Sequence, residues 1–350
     1  MNEAIRTHPR KALRRKLLLT VSSVVLLLAA EARAEDADHP ILWIEFGGAF
    51  DQISNGEDGW LPHNLTPPIS KPSPEPFGHV PNIGYDFDGA ITFAPEDSAW
   101  TYTASVRYGR GQLSRHTHDQ TYQLTHNFLG KYALTTYAFL NASQIGHSAH
   151  AILDFTAGRD VGLGLFRGDE ATLNFGIRVV QLNEHARATL GAFSTAPAKY
   201  STGKIVHEAD ASITRGFTGA GPTVAWDDSA PLLGSMHDGL SFDWGANVAI
   251  LFGRQKARLA LHTKNTRYYG YGANAVLSHA TYTPVRDKTV AVPNAGGFAG
   301  LSWRLPNGKI SFGYRADFFF GAIDGGLTSA KSETRGFYGP FANVSIGIGG

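Results

Sequence analysis

Cysteine is absent from the 350 residues, which excludes disulfide staples, thiolate metal sites and cysteine nucleophiles. An excess of charge of one sign is missing as well. Lys and Arg number 31 against 30 Asp and Glu, and a net charge of +1 gives no electrostatic reason to expect a nucleic-acid partner. After the first thirty residues no apolar run approaches the ~20 residues that a membrane-crossing helix needs. Nothing in the middle of the chain reads as a linker, so one domain is expected. What the sequence has instead is 40 Gly, 21 Phe and 13 Tyr, the composition of a polar, aromatic, turn-rich β protein.

The first residues form a processing signal. Arg6, Arg10, Lys11, Arg14, Arg15 and Lys16 precede an apolar run from Leu17 to Ala30, and Ala32-Arg33-Ala34 supplies an A-x-A cleavage site. This pattern predicts a signal peptide over residues 1–34 and a mature chain of residues 35–350 beginning at Glu35. Arg14-Arg15 also resembles the start of a twin-arginine signal. That route carries folded cargo, whereas a β-barrel crosses the inner membrane unfolded.

Beyond the signal, alternation with a period of two recurs. Trp100, Tyr102, Ala104, Val106 and Tyr108 share one strand face, opposite Thr101, Thr103, Ser105 and Arg107. Leu240, Phe242, Trp244, Ala246, Val248, Ile250 and Phe252 oppose Ser241, Asp243, Gly245 and Asn247, and Ile310, Phe312, Tyr314, Ala316, Phe318 and Phe320 oppose Ser311, Gly313, Arg315 and Asp317. Aromatic rings at the ends of an aliphatic face, in segments of about ten residues, suit a tilted strand crossing a bilayer. The predicted fold is all-β: a closed antiparallel transmembrane up-and-down β-barrel of about twelve strands. Strands are expected near 41–50, 84–94, 99–109, 149–158, 171–182, 204–214, 217–226, 240–253, 257–267, 297–305, 309–320 and 336–348, with the break at Arg215-Gly216 the weakest. Counts of ten or fourteen stay open.

Pro95 to Ser98, Arg254-Gln255-Lys256 and Pro306-Asn307-Gly308 read as tight turns, while 51–83 and 111–148 read as long connections. Short periplasmic turns and longer extracellular loops would give that alternation, with both chain ends in the periplasm. A soluble β-sandwich is the rival fold. It explains half-buried strands, but not the aromatic ends or the two loop populations.

Tyr314-Arg315-Ala316-Asp317-Phe318-Phe319-Phe320, Arg335-Gly336-Phe337-Tyr338-Gly339-Pro340-Phe341 and Phe217-Thr218-Gly219-Ala220-Gly221-Pro222 resemble segments of the Legionella-type major outer membrane protein family. The resemblance implies a pore-forming or surface-exposed outer-membrane barrel without a catalytic motif. Many such barrels end in an aromatic residue, whereas this chain ends Ile348-Gly349-Gly350.

The expected inward faces carry Asp86, Asp88, Arg107, Arg178, Asp243, Arg304, Arg315 and Asp317 as candidate pore-lining residues, together with Glu45, Asp154, Glu208 and Asp210. Buried charges of both signs must pair or face water. A narrow porin-like channel for passive diffusion of small hydrophilic solutes is therefore expected, with no cofactor and no metal. Its expected surroundings are outer-membrane lipid and lipopolysaccharide, and association of barrels as homo-oligomers stays open. A plugged structural barrel, or an adhesin acting through its surface loops, is the alternative. His116, His118 and His126 beside Asp119 offer a metal-site pattern that a polar loop explains as well. An outer-membrane lipid hydrolase would need a serine and a histidine together, from Ser105, Ser114 or Ser148 and His116, His147 or His150, and none of these stands in a motif.

Overall fold

The structure, a computed structural model, describes residues 41–54, 82–96, 98–116, 120–128, 131–162, 170–195, 203–234, 238–269, 274–325 and 331–349. The expected signal peptide, 1–34, lies outside them, as do His118 and Asp119 of the histidine pattern. Among the described residues every regular element is a strand: β1 (Leu42–Ser54), β2 (Asn82–Phe93), β3 (Trp100–His116), β4 (Gln120–Phe128), β5 (Lys131–Asp160), β6 (Glu170–Thr195), β7 (Gly203–Gly234), β8 (Gly239–Tyr269), β9 (Asn274–Tyr282), β10 (Val285–Leu305), β11 (Gly308–Asp324) and β12 (Ser332–Ile348).

All pairings are antiparallel, and the ring closes twice over: β12 pairs with β1 from Leu42↔Ile348 to Ser54↔Gly336, and β10 pairs with β8 from Val285↔Arg258 to Arg304↔Gly239. The strands around the ring are β1, β2, β3, β5, β6, β7, β8, β10, β11 and β12. The two remaining strands prolong ring strands. β4 sits on β5 in the register that β3 keeps lower down, and β9 sits on β8 in line with β10. Thr283-Pro284 separates β9 from β10, at a proline that has no N–H to give to the ladder.

The barrel therefore has ten strands around it, and the expectation of about twelve is corrected at two places. Arg215-Gly216 lies inside β7, where Gly216 is paired with both Asn183 and Lys256, and Arg254-Gln255-Lys256 lies inside β8. Both sites lose the apolar alternation because they stand above the apolar outer belt, where outward residues such as Arg254, Lys256 and Arg258 are charged, and not because the chain turns. The same cause places Glu208 and Asp210 on the outer side: Ala209, Ala211 and Ile213 are the buried residues of that stretch, and Asp210 pairs with the exposed Arg187. Of the expected 111–148 loop, 111–116 belong to β3, 120–128 to β4 and 131–148 to β5.

Phe50, Ile83, Phe87, Phe155, Ile177, Val248, Phe252 and Phe312 are among the large apolar side chains on the outside, each more than half exposed. On β2 this belt runs from Ile83 to Phe93, roughly 33 Å along the strand at ~3.3 Å per residue and near 25 Å in height at a tilt of about 40°. Strands β5 to β8 are much longer than the belt. At 30, 26, 32 and 31 residues against 13 for β1 and 12 for β2, they rise beyond the rim and, flanked by β4 and β9, form an open six-stranded wall on one side of the barrel. Both the first and the last strand begin or end at the opposite rim, which also holds the turns at 94–99 and 306–307.

Because the chain lacks cysteine, closure is directly testable. Phe46 and Val344 are cross-strand partners on the outer face, and facing Cα atoms in an antiparallel pair are spaced to accept a disulfide. The double variant Phe46→Cys/Val344→Cys is expected to cross-link within one chain on mild oxidation, seen as a shift on a non-reducing gel; a chain that stays uncross-linked would contradict the closed ring.

Candidate functional site

The inward residues divide the lumen into two levels. Small and polar side chains fill the half nearest the short turns, and apolar ones fill the half nearest the wall. Ile53, Val180, Leu182, Phe217, Leu251, Val292, Phe319, Ile323 and Phe337 form one buried cluster across the upper lumen. The end of β11 contributes to it beyond a β-bulge, still paired with β12 through Ile323↔Glu333 and Asp324↔Ser332. Its register against β12 shifts between Phe319 and Ile323, and Gly321 takes φ +69°, a conformation that a residue with a Cβ reaches only with strain. Ala322 and Ile323 are then buried.

Polar groups tie this plug to the walls. Gln255 Nε2 donates to the Gly321 carbonyl at 3.2 Å, and Arg215 donates to the Asp324 carbonyl at 2.6 Å and to Glu333 at 3.0 Å. Glu184 receives Arg215 at 2.9 Å and also Arg335, whose guanidinium reaches the Ser54 carbonyl at 2.7 Å. The Gly321 and Asp324 carbonyls at the bulged end of β11 thus accept hydrogen bonds from side chains of β8 and β7, as buried backbone groups require.

Below the plug lies a cup of about 510 Å³. Asp88, Arg107, Arg178, Asp243, Arg304, Arg315 and Asp317 line it, as expected for inward residues, and so do Glu45 and Asp154. Asp86 does not line it; its side chain is buried behind Arg315. The charges form a chain of pairs across the lumen. Arg178 is bidentate to Asp154 at 2.7 and 2.8 Å and donates to Asn247 at 2.7 Å and Asn294 at 2.5 Å. Arg107 donates to Asp317 at 2.5 Å and stands 3.8 Å from Asp88, while Arg315 bridges Asp88 at 2.6 Å and Asp86 at 2.9 Å. Nearer the turns, Asp243 accepts the hydroxyls of Ser229, Ser241 and Ser302, with Arg304 at 3.6 Å and Lys309 at 3.7 Å. Alternation identified most of these residues. It did not show that they would be spent on one another.

Among the described side chains no hydrogen bond joins a serine and a histidine of the hydrolase candidates, and the side chains of Ser114 and His116 lie outside that description. Ser105 lines the cup, His147 is exposed on the outer wall, and His150 is buried with Nε2 at 3.1 Å from Asp86. Sequence reading missed Asp51, which is 1 % exposed on β1 close to Asp86 and His150. No local pattern in β1, which also carries Glu45 and Gln52, set it apart.

No protein-family model and no curated protein matches this chain. Among solved structures, a chain described as a bacterial polysaccharide outer membrane secretin aligns over 89% of this chain and 100% of its own length, at 9% identity and a TM-score of 0.17. A likeness at that level carries no argument.

The buried pairs and the surface pairs differ in what they contribute. Removing one partner of a buried pair leaves a charge without compensation and costs roughly 3–5 kcal/mol, against about 0.2–1 kcal/mol for an exposed pair. Arg178→Ala is therefore expected to lower the unfolding midpoint in urea markedly, while Arg187→Ala, which breaks an exposed pair with Asp210, leaves it almost unchanged. Equal effects of the two substitutions would contradict the network.

Proposed function

We propose that the protein is an outer-membrane β-barrel whose lumen is closed to passive diffusion, and that it acts at the cell surface through the wall and loops above the belt. The observation that carries the membrane assignment is the ring of exposed aromatic and aliphatic side chains, matched in height to a bilayer core. In water such a belt would far exceed the apolar patches that soluble monomers show. In lipid it replaces hydrocarbon with hydrocarbon, and the closed ladder leaves no unpaired edge inside the bilayer. Lys256 and Arg258, exposed on β8 above Phe252, lie where anionic lipopolysaccharide headgroups would meet them. The side holding the short turns and both end strands is then periplasmic, after export through the signal peptide.

The plug and the paired charges support closure. Eight strands leave an interior that side chains fill, and sixteen or more leave an aqueous channel; ten lies near the filled limit. A second reading keeps the porin: the cup is polar, lined by both signs of charge and broad enough for a small hydrophilic solute, so displacement of the β11 end would complete a pore with Arg107, Arg315, Asp88 and Asp317 at its narrowest level. Neither reading includes a catalytic step.

Val248→Arg, in the middle of the belt, is expected to lower folding stability in lipid bilayers by about 2–4 kcal/mol, measured by urea titration in vesicles; an unchanged midpoint would argue against lipid contact at that face. In planar bilayers the folded chain is expected to give no steady conductance. Reproducible unitary currents would transfer the conclusion to the pore reading.

A further inference from the structure

Asp51, Asp86 and His150 come from three strands and meet in the wall-side lumen, just under the plug. The cross-strand row is Asp86 on β2, Gly109 on β3 and His150 on β5. Gly109 is required there: a Cβ at that position would lie 1.8 Å from the Asp86 carboxylate and 2.3 Å from the His150 ring. One strand gives up its side chain so that the groups of its two neighbours touch. Asp51 reaches the same point from β1, where it pairs with Gly84, two residues from Asp86. One ligand atom from each of the three residues lies within 4.8 Å of the other two.

These groups are buried and incompletely satisfied. Exposure is 1 % for Asp51, 3 % for Asp86 and 1 % for His150. Among the described residues, and apart from the Asp86 carboxylate that it abuts, neither Asp51 oxygen has a hydrogen-bond partner, and Asp86 Oδ1 and His150 Nδ1 lack one too. Two buried carboxylates in contact repel, so positive charge is needed between them. Among the described residues Arg315 reaches Asp86, but it is shared with Asp88, and no second cation stands beside the pair. The connected network holds five carboxylates, Asp51, Asp86, Asp88, Asp154 and Asp317, against three guanidiniums, Arg107, Arg178 and Arg315. The neighbouring cluster of Glu184 and Glu333 with Arg215 and Arg335 is already balanced and has no cation to spare. Two negative charges are left over, beside the three unsatisfied side chains.

We propose that Asp51, Asp86 and His150 bind a divalent transition-metal cation, of which Zn2+ is the type. One imidazole with two carboxylates favours such an ion over Mg2+ or Ca2+, which take oxygen ligands alone. Metal–ligand bonds of about 2.0–2.2 Å place cis ligands roughly 3 Å apart, the separation already held by His150 Nε2 and Asp86 Oδ2 at 3.1 Å. The ion supplies the two missing positive charges and ties β1, β2 and β5 together across β3. It also braces the plug from below, because the Phe337 ring packs on the His150 ring with centroids 3.9 Å apart.

The test uses the full chain folded in detergent micelles, with folding checked by heat-modifiable gel mobility. Samples folded with Zn2+, Mn2+, Mg2+ and Ca2+ together are desalted and analysed for elements by mass spectrometry. The expected result is about one Zn2+ or Mn2+ per folded chain in the wild type and in Asp210→Asn on the outer wall, with at least a tenfold loss in Asp51→Asn and His150→Gln. The wild type folded with Co2+ is expected to show visible absorption of a bound ion, a readout that stands even if a variant fails to fold. Folded wild type that retains no transition metal would overturn the proposal, since protons would then neutralise the pair. Equal retention by the Asp51 and His150 variants would also overturn it.

Discussion

A sheet whose outer face is apolar all the way round has no stable open form in lipid. Each strand carries a row of N–H and C=O groups, and the hydrocarbon zone offers them no water. Closure of β1 on β12 and of β8 on β10 satisfies every strand of the ring from both sides. The remaining features follow from it. Closing ten strands fixes a narrow bore, and a narrow bore forces inward side chains into contact across the lumen.

Those contacts have two solutions in this chain, one above the other. Toward the wall most inward residues are apolar, packed around a few buried polar groups such as Arg215 and Arg335, and the bore is filled as a protein core is filled, with Ala322 and Ile323 at the end of β11 completing it. Toward the short turns they are charged, and carboxylates and guanidiniums from strands far apart in sequence satisfy one another. The outer face shows the reverse order: apolar at belt height and polar above it. The inward and outward faces therefore exchange polarity at about the level of Arg178 and Val179, and a single rule for which face is greasy fails on crossing that level.

That exchange explains what could be read from the chain and what could not. Within the belt, alternation over Trp100–Tyr108, Leu240–Phe252 and Ile310–Phe320 located strands and their facing correctly, and it identified Asp88, Arg107, Arg178 and Arg315 as inward. Above the belt the same rule divided β7 at Arg215-Gly216 and β8 at Arg254-Gln255-Lys256, and it sent Glu208 and Asp210 to the wrong side. Residues 111–148 read as a loop because a strand in water on its outer face needs no apolar period there. Pairing of Arg107 with Asp317 joins residues that are neighbours only after the ring has closed, so no local pattern carries it. Asp51 was invisible for the same reason: its significance lies in Asp86 and His150, which reach it from two other strands.

The wall above the rim differs from the ring in one topological respect. A ring has no end, so no further strand can join it. The wall ends at β4 on one side and at β9 on the other, and each of these pairs along only one flank with a described neighbour. Their outer flanks present ladder groups of the kind that accept an extended peptide by backbone hydrogen bonding, whatever its side chains. The molecule thus pairs a barrel that cannot be enlarged with a sheet that can, and growth of that sheet would proceed away from the apolar belt.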